Sequence, residues 1–228
     1  MSDGMFRSLS GARAMWKTME VVANNAANVS TTGFQAGRVA FESYGEGEHL
    51  DEGYAVVATV RPIRRNGPLE ATGNPTDVAL QGPGYFAVET ADSILFTRDG
   101  SFVVGNDGVL ATREGWPVLG EHGPITVPPG ETLRISEDGT VSTADSGELG
   151  RLSRMDGALA HAGGNLWRAT GPMFDVDTPV AGGHLEGSNV DPMRTMVDLI
   201  QASHQFEMLQ KAMQTDEEMT TMMNQSGS

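Results

Sequence analysis

From Met5 onward, apolar positions recur at alternating steps of four and three: Met5, Leu9, Ala12, Trp16, Met19, Ala23 and Ala26. A seven-residue repeat of this kind predicts a long amphipathic helix with a single apolar seam. The far end of the chain repeats the pattern. Asn189 or Asp191 can cap a helix, and Pro192 suits its first turn. Leu199, Ala202, Phe206, Leu209 and Met213 then follow at steps of three, four, three and four. The middle of the chain has another character. "FAVETADSILFTRDGSFVVGNDGVLAT", Phe86 to Thr112, alternates or runs apolar, with turn signals at Asp99-Gly100 and Asp107-Gly108. Another Asp-Gly pair, Asp138-Gly139, separates "ETLRIS" from "TVST". Short strands at this spacing predict a sandwich or barrel. Residues 61–77, with prolines at 62, 68 and 75, predict irregular or edge structure leading into it.

The pattern predicts an α+β fold in which the N- and C-terminal helices pair as a coiled-coil-like core and the middle forms a central β-rich domain. The expected boundaries are an N-terminal helix over 1–35, an extended connecting segment over 36–66, a β domain over 67–185 and a C-terminal helix over 186–228. A seam of this kind ordinarily packs on its own domain. Two seams at opposite chain ends, with small residues at Ala12, Ala23 and Ala26 and flexible methionines, also suit packing against neighbours.

The stretch "VVANNAANVSTTGF", 21–34, begins as a helix and then fills with polar residues. Asn and Ser compete for backbone hydrogen bonds in a helix interior, and a glycine can adopt the left-handed conformation that ends one. Asn24, Asn25, Asn28, Thr31, Gly33 and Phe34 therefore mark a helix terminus.

Charge and composition narrow the functional classes. The formal charge of −15 opposes binding to a polyanion, so nucleic acid is not an expected partner. There is no cysteine, which removes thiolate chemistry and Cys-ligated metal. The N-terminus has Asp3 and no apolar h-region, so no cleaved secretory signal is expected. No apolar run approaches the roughly 18 residues that span a bilayer, and no direct membrane insertion is expected.

A search for chemistry finds little. Histidines 49, 122, 161, 184 and 204 are scattered, without an i, i+4 pair or an HExxH motif. His204 and Glu207 resemble half of a di-iron motif, but its companion carboxylates are missing. "GNDG" lacks the alternating oxygen ligands of a calcium loop, and "QGPGYF" reads as a turn into a strand. Serines 8, 10, 30 and 43 lie in no nucleophile pattern. No cofactor, metal or enzymatic activity is expected.

Three ordered segments then carry a resemblance over nearly the whole chain. "ANNAANVSTTGF" at 23–34 resembles the N-terminal signature of the rod and hook family of bacterial flagellar axial proteins. "LEATGNPTDVALQGPGYFAV" at 69–88 and "FTRDGSFVVGNDGVLAT" at 96–112 resemble its central segment, and "LEGSNVDPMRTMVDLIQASHQFEMLQKAMQTDEEM" at 185–219 its C-terminal helix. The modest length, the short passage between Phe41 and Pro68 and "HQFEMLQKAM" favour a proximal-rod subunit, with the distal rod as the alternative. The resemblance implies a structural subunit that stacks helically to transmit torque and to form the wall of an export channel. Its partners would be inner proximal-rod subunits, the distal rod protein, copies of itself and the flagellar type III export apparatus, in the periplasmic part of the rod. The implied interface comprises the seam residues Met5, Leu9, Ala12, Trp16, Met19, Ala23, Leu199, Ala202, Phe206, Leu209 and Met213. It also includes Asn24, Asn25, Asn28, Thr31, Gly33, Phe34 and Asn189. A different class stays open: a secreted β-sandwich binding module with dimerising helices. It would need an exposed aromatic cluster, for which Tyr85, Phe86, Trp116 and Trp167 are available.

Overall fold

The structure, a computed structural model, describes residues 2–44 and 55–226. The chain falls into two compact units. One comprises Met1–Ala27, Gly37–Val60 and Asp191–Ser228; the other comprises Asn28–Ala36 and Arg61–Val190.

In the first unit, helix α1 (Ser2–Ala27) is followed by paired strands β1 (Gly37–Tyr44) and β2 (Ala55–Pro62), and helix α2 (Pro192–Ser226) closes the chain. The start of α2 follows from its sequence. Asp191 Oδ1 accepts the Arg194 amide at 3.2 Å and its carbonyl accepts the Thr195 amide at 3.0 Å, while Pro192 fills a position where no amide is needed. α1 stops at Ala27, and a turn follows in which the Asn28 carbonyl accepts the Thr31 amide at 3.1 Å.

The second unit is built from strands. They are β3 (Leu69–Ala71), β4 (Val78–Leu80), β5 (Tyr85–Glu89), β6 (Ile94–Thr97), β7 (Val103–Val104), β8 (Leu110–Ala111), β9 (Leu119–Gly120) and β10 (Gly123–Pro124). They continue as β11 (Leu133–Ile135), β12 (Thr140–Thr143), β13 (Gly147–Arg151), β14 (Arg154–Gly163), β15 (Leu166–Asp175), β16 (Val180–Gly182) and β17 (His184–Glu186). β14, β15, β6 and β5 close a small barrel, β11 to β13 form a three-stranded sheet, and the rest pair in twos. β16 returns to β4 and β17 to β3, so the end of the unit is bonded to its beginning.

The apolar run "YFAV" explains why a core can sit on both sides of β5. Side chains alternate along a strand. Phe86 and Val88 enter a large cluster with Val78, Leu80, Phe102, Leu110 and Val118, whereas Tyr85 and Ala87 enter a smaller one with Phe96, Leu159 and Trp167. Phe86 and Phe102 meet edge to face, with centroids 5.3 Å apart. Two of the Asp-Gly pairs form the expected turns: Asp107 Oδ1 accepts the Val109 amide at 3.2 Å between β7 and β8, and Asp138 Oδ1 accepts the Thr140 amide at 3.1 Å between β11 and β12, whereas Asp99-Gly100 lies in irregular chain after β6, with Asp99 Oδ1 accepting the Ser101 amide at 2.9 Å.

The expected fold class is corrected by this arrangement. The described residues form two helices and seventeen strands, and the fold is β-rich, without a coiled-coil core. The apolar clusters all lie in the strand-built unit. Among the described apolar side chains of the helices, only Val21 and Ala202 are buried, and Trp16 is 55% exposed. Heptad spacing identifies which side chains share a face. It does not supply the second layer that would enclose them, and one helix laid against another leaves most of each surface open.

Candidate assembly site

The seam positions on α2 form one coherent face. Ala202 is buried, and Leu199, Phe206, Leu209 and Met213 are half-buried, with buried Thr195 one step earlier in the same series. The α1 seam is less regular. Ala12 and Met19 are half-buried, Ala23 is exposed, and the most enclosed residue is Val21, which the seam omitted. Met5 and Leu9 lie on α1, but their side chains fall outside the described residues. Trp16 nevertheless meets Phe206, with ring centroids 5.8 Å apart and the planes tilted by 59°.

The asparagine-rich signature is largely bonded within its own chain. Asn24 is exposed. Asn25 donates Nδ2 to the Gly37 carbonyl and accepts the Gly37 amide with Oδ1, both at 2.9 Å, which fixes the first residue of β1. Asn28 Oδ1 accepts the Thr31 hydroxyl at 3.0 Å. Gly33 adopts φ +64°, and a Cβ there would lie 2.3 Å from the Asp99 amide nitrogen. Only glycine fits that approach. Phe34 is buried with Ala36 and Val190.

Asn189 organises this signature from the other end of the chain. Its Oδ1 accepts the Ala36 amide at 2.7 Å, and its Nδ2 donates to the carbonyls of Ile63 at 2.9 Å and Arg65 at 2.7 Å. Its own amide donates to the Phe34 carbonyl at 3.2 Å. Asn189 and Ala36 are nearly sealed from water, so the Asn189 side-chain amide and the Ala36 backbone amide would otherwise be buried without a partner.

Beside it lies a buried ion pair that sequence reasoning missed. Arg98 donates to Glu186 Oε2 at 2.8 Å, and both side chains are almost fully enclosed. Glu186 Oε1 accepts the Gly67 amide at 2.8 Å and its carbonyl accepts the Gly33 amide at 2.6 Å. Arg98 also donates to the Gly82 carbonyl and lies 5.4 Å from the Tyr85 ring centroid. Burial raises the Glu186 carboxyl above its ordinary value, with Arg98 pulling the other way. Burial also pushes the Tyr85 phenol up to about 12, against the pull of Arg98. Arg98 stands in "FTRDG" and Glu186 in "HLEGSN", where a charge within two residues of a glycine ordinarily reads as a solvated turn. Nothing in either stretch announces a partner 88 positions away.

The site offers contact surface and a rigid polar junction. Among the described residues no cluster of His, Cys, Asp or Glu could hold a metal ion, and His49 lies outside them. Of the aromatic residues available for a glycan- or protein-binding patch, Tyr85, Phe86 and Trp167 are buried in the core and Trp116 packs against it.

Three families match the chain in sequence order. A family described as flagella basal body rod protein matches residues 8–35, the flagellar hook protein FlgE/F/G D1 domain matches 79–143, and the flagellar basal body rod FlgEFG protein C-terminal family matches 181–226. The basal-body rod protein FlgF of Escherichia coli is 34% identical over 247 aligned positions, covering 99% of this chain and 98% of its own. The chain belongs to the bacterial flagellar basal-body rod family. Rod protein FlgF of Mesorhizobium japonicum is 32% identical over 241 positions, and rod protein FlgG of Buchnera aphidicola from Schizaphis graminum 31% over 262, each covering 99% of this chain and 100% of the relative. The protein is thus a structural subunit of the flagellar basal body that assembles with other rod components. The three matched segments correspond to α1 with its signature, the strands from β4 to β12, and β17 with α2.

Proposed function

We propose that this rod subunit belongs to the proximal rod. The observation that carries the reading is economy of alignment: 247 and 241 positions accommodate the chain of 228 against the two FlgF relatives, whereas FlgG requires 262. The short passage between Phe41 and Pro68 agrees with this. In the proposed role, copies stack helically to transmit torque and to form the export channel wall. Inner proximal-rod subunits lie on one side and the distal rod protein on the other, in the periplasmic part of the rod. The subunit reaches that place through the flagellar type III apparatus without a cleaved signal peptide, and it acts without catalysis or cofactor. No nucleic acid takes part, and the subunit enters no membrane; among the described residues no helix is long and apolar enough to cross one. Asn25, Asn28, Thr31, Gly33, Phe34 and Asn189 contribute by fixing the chain where it passes between helix and strand, more than by touching a neighbour, and the exposed Asn24 is the member of the signature that meets a neighbouring subunit.

The test is localisation. Immunolabelling of isolated basal bodies should place the subunit in the inner part of the rod, and a deletion strain should lack rod beyond that point. Label confined to the outer part would instead support the distal-rod alternative. Absence from basal bodies would overturn both.

A further inference from the structure

Asn66 is the one asparagine of the chain that a glycine follows. A backbone amide nitrogen that attacks the side-chain carbonyl of the preceding asparagine closes a five-membered imide, and a side chain on the attacking residue hinders the approach. The fold fixes glycine at 67 for a separate reason. A Cβ there would lie 1.9 Å from the Gly187 carbonyl oxygen. The asparagine itself is exposed, and its Nδ2 reaches the Leu80 carbonyl at only 3.4 Å, the far edge of hydrogen-bonding distance. Little therefore holds the side-chain amide away from the next residue.

The attacking nitrogen must also lose its proton, and here a base already holds it. Gly67 donates to Glu186 Oε1 at 2.8 Å, while Arg98 occupies Oε2 at 2.8 Å. The guanidinium keeps the carboxylate charged, and burial raises its affinity for a proton, both of which suit a general base. We propose that Asn66 is a site of self-modification, in which Glu186 takes the Gly67 proton as the nitrogen bonds to the Asn66 Cγ. The Cγ–Nδ2 bond breaks, and the proton passes from Glu186 to the departing nitrogen, which leaves as ammonia. Water then opens the imide at either carbonyl, giving aspartate or isoaspartate, with no oxidant or reductant involved. Either product adds a negative charge one residue from the amide that Glu186 holds. Isoaspartate also lengthens the main chain by one carbon beside the approach of Gly67 to Gly187, where there is no slack. The age of a subunit is thereby recorded where Glu186 holds Gly67 and Gly187 donates to the Pro68 carbonyl.

The experiment follows the folded full-length chain and a synthetic peptide of residues 61–70 side by side in one neutral buffer, with peptide mass spectrometry at intervals. In the folded chain Asn66 should change from amide to acid at least as fast as in the peptide, passing through a species that has lost ammonia. Isoaspartyl methyltransferase should label the product at 66. Asn106, equally exposed but followed by Asp107, should remain an amide over the same period. Glu186→Gln keeps an acceptor for the Gly67 amide but supplies no base, and it should slow the change at Asn66 about tenfold or more. A folded parent that reacts much more slowly than the peptide overturns the proposal, because the bond to Glu186 then protects the amide. Equal rates in the parent and in a Glu186→Gln chain whose near-ultraviolet circular dichroism is native also overturn it. Should Glu186→Gln fail to fold, the comparison of the folded parent with the peptide decides alone.

Discussion

Gly33 and Tyr85 show how single residues hold the strand-built unit together. Gly33 combines a left-handed backbone with a carbon-to-nitrogen distance of 2.3 Å for any added Cβ. Gly33→Ala therefore incurs left-handed strain of roughly 1–2 kcal/mol and forces the Asp99 backbone to move. The expected result is a clearly lower urea midpoint for the full chain. An unchanged midpoint would show that the turn relaxes freely. Tyr85 makes stability sensitive to alkali. Its phenol is raised from 10.0 to about 12 in the folded state. Below pH 10 both states hold the proton and the contribution is constant. Between 10 and 12 only the unfolded chain releases it, so stability falls with rising pH by about 1.4 kcal/mol per unit. Comparing urea melts at pH 7 and pH 11, the loss in the parent should exceed that in Tyr85→Phe by about 1 kcal/mol. Equal losses would mean that the phenol is not protected.

At the level of elements, α2 separates from the strands in its energetics. Asp191 caps it through the Arg194 amide, and Asp191→Ala should cost about 1 kcal/mol of helix stability. Circular dichroism at low temperature should show earlier loss of helical signal, while the near-ultraviolet signal of Trp167 in the barrel core melts as before. Leu209 is half-buried in the unit that contains the helices, so Leu209→Ala should likewise leave the melt of the strand-built unit unchanged and reduce entry into the rod. Normal swimming with a destabilised strand unit would show that the seam serves an internal core. The heptad spacing on α2 was readable because the helix period alone decides which residues share a face. The exposure of Met193, Met196, Val197 and Ile200 on the same helix was not, since Met193, Met196 and Ile200 also follow at steps of three and four and only packing shows which row is covered.

For the whole molecule, the division into two units predicts that assembly and folding can be separated. Truncation after Val190 removes α2 entirely while leaving every strand from β3 to β17. The shortened chain should keep a cooperative melt of the strand-built unit and fail to appear in isolated basal bodies, with cells losing motility. Incorporation of the shortened chain would overturn the assignment of assembly to the helices. Limited proteolysis of the intact free subunit should end near the same residue, because half-exposed helices open more readily than a closed barrel.

What the sequence by itself determined was local and periodic. The two terminal helices, the helix stop before Gly33, the Asp-Gly turns at Asp107 and Asp138 and the strand after "QGPG" each depend on neighbours within a few residues, where backbone sterics and short hydrogen bonds act. The rod family was legible too, from three ordered segments. The tertiary structure alone decided where the core lies, because burial depends on what packs over a face and not on the face itself. It likewise decided that Asn25 bonds to Gly37, that Asn189 serves Ala36, Ile63 and Arg65, and that Arg98 meets Glu186. Those partners stand 12 to 153 positions apart, and a charge or an amide reads alike in sequence whether water or a distant segment will satisfy it.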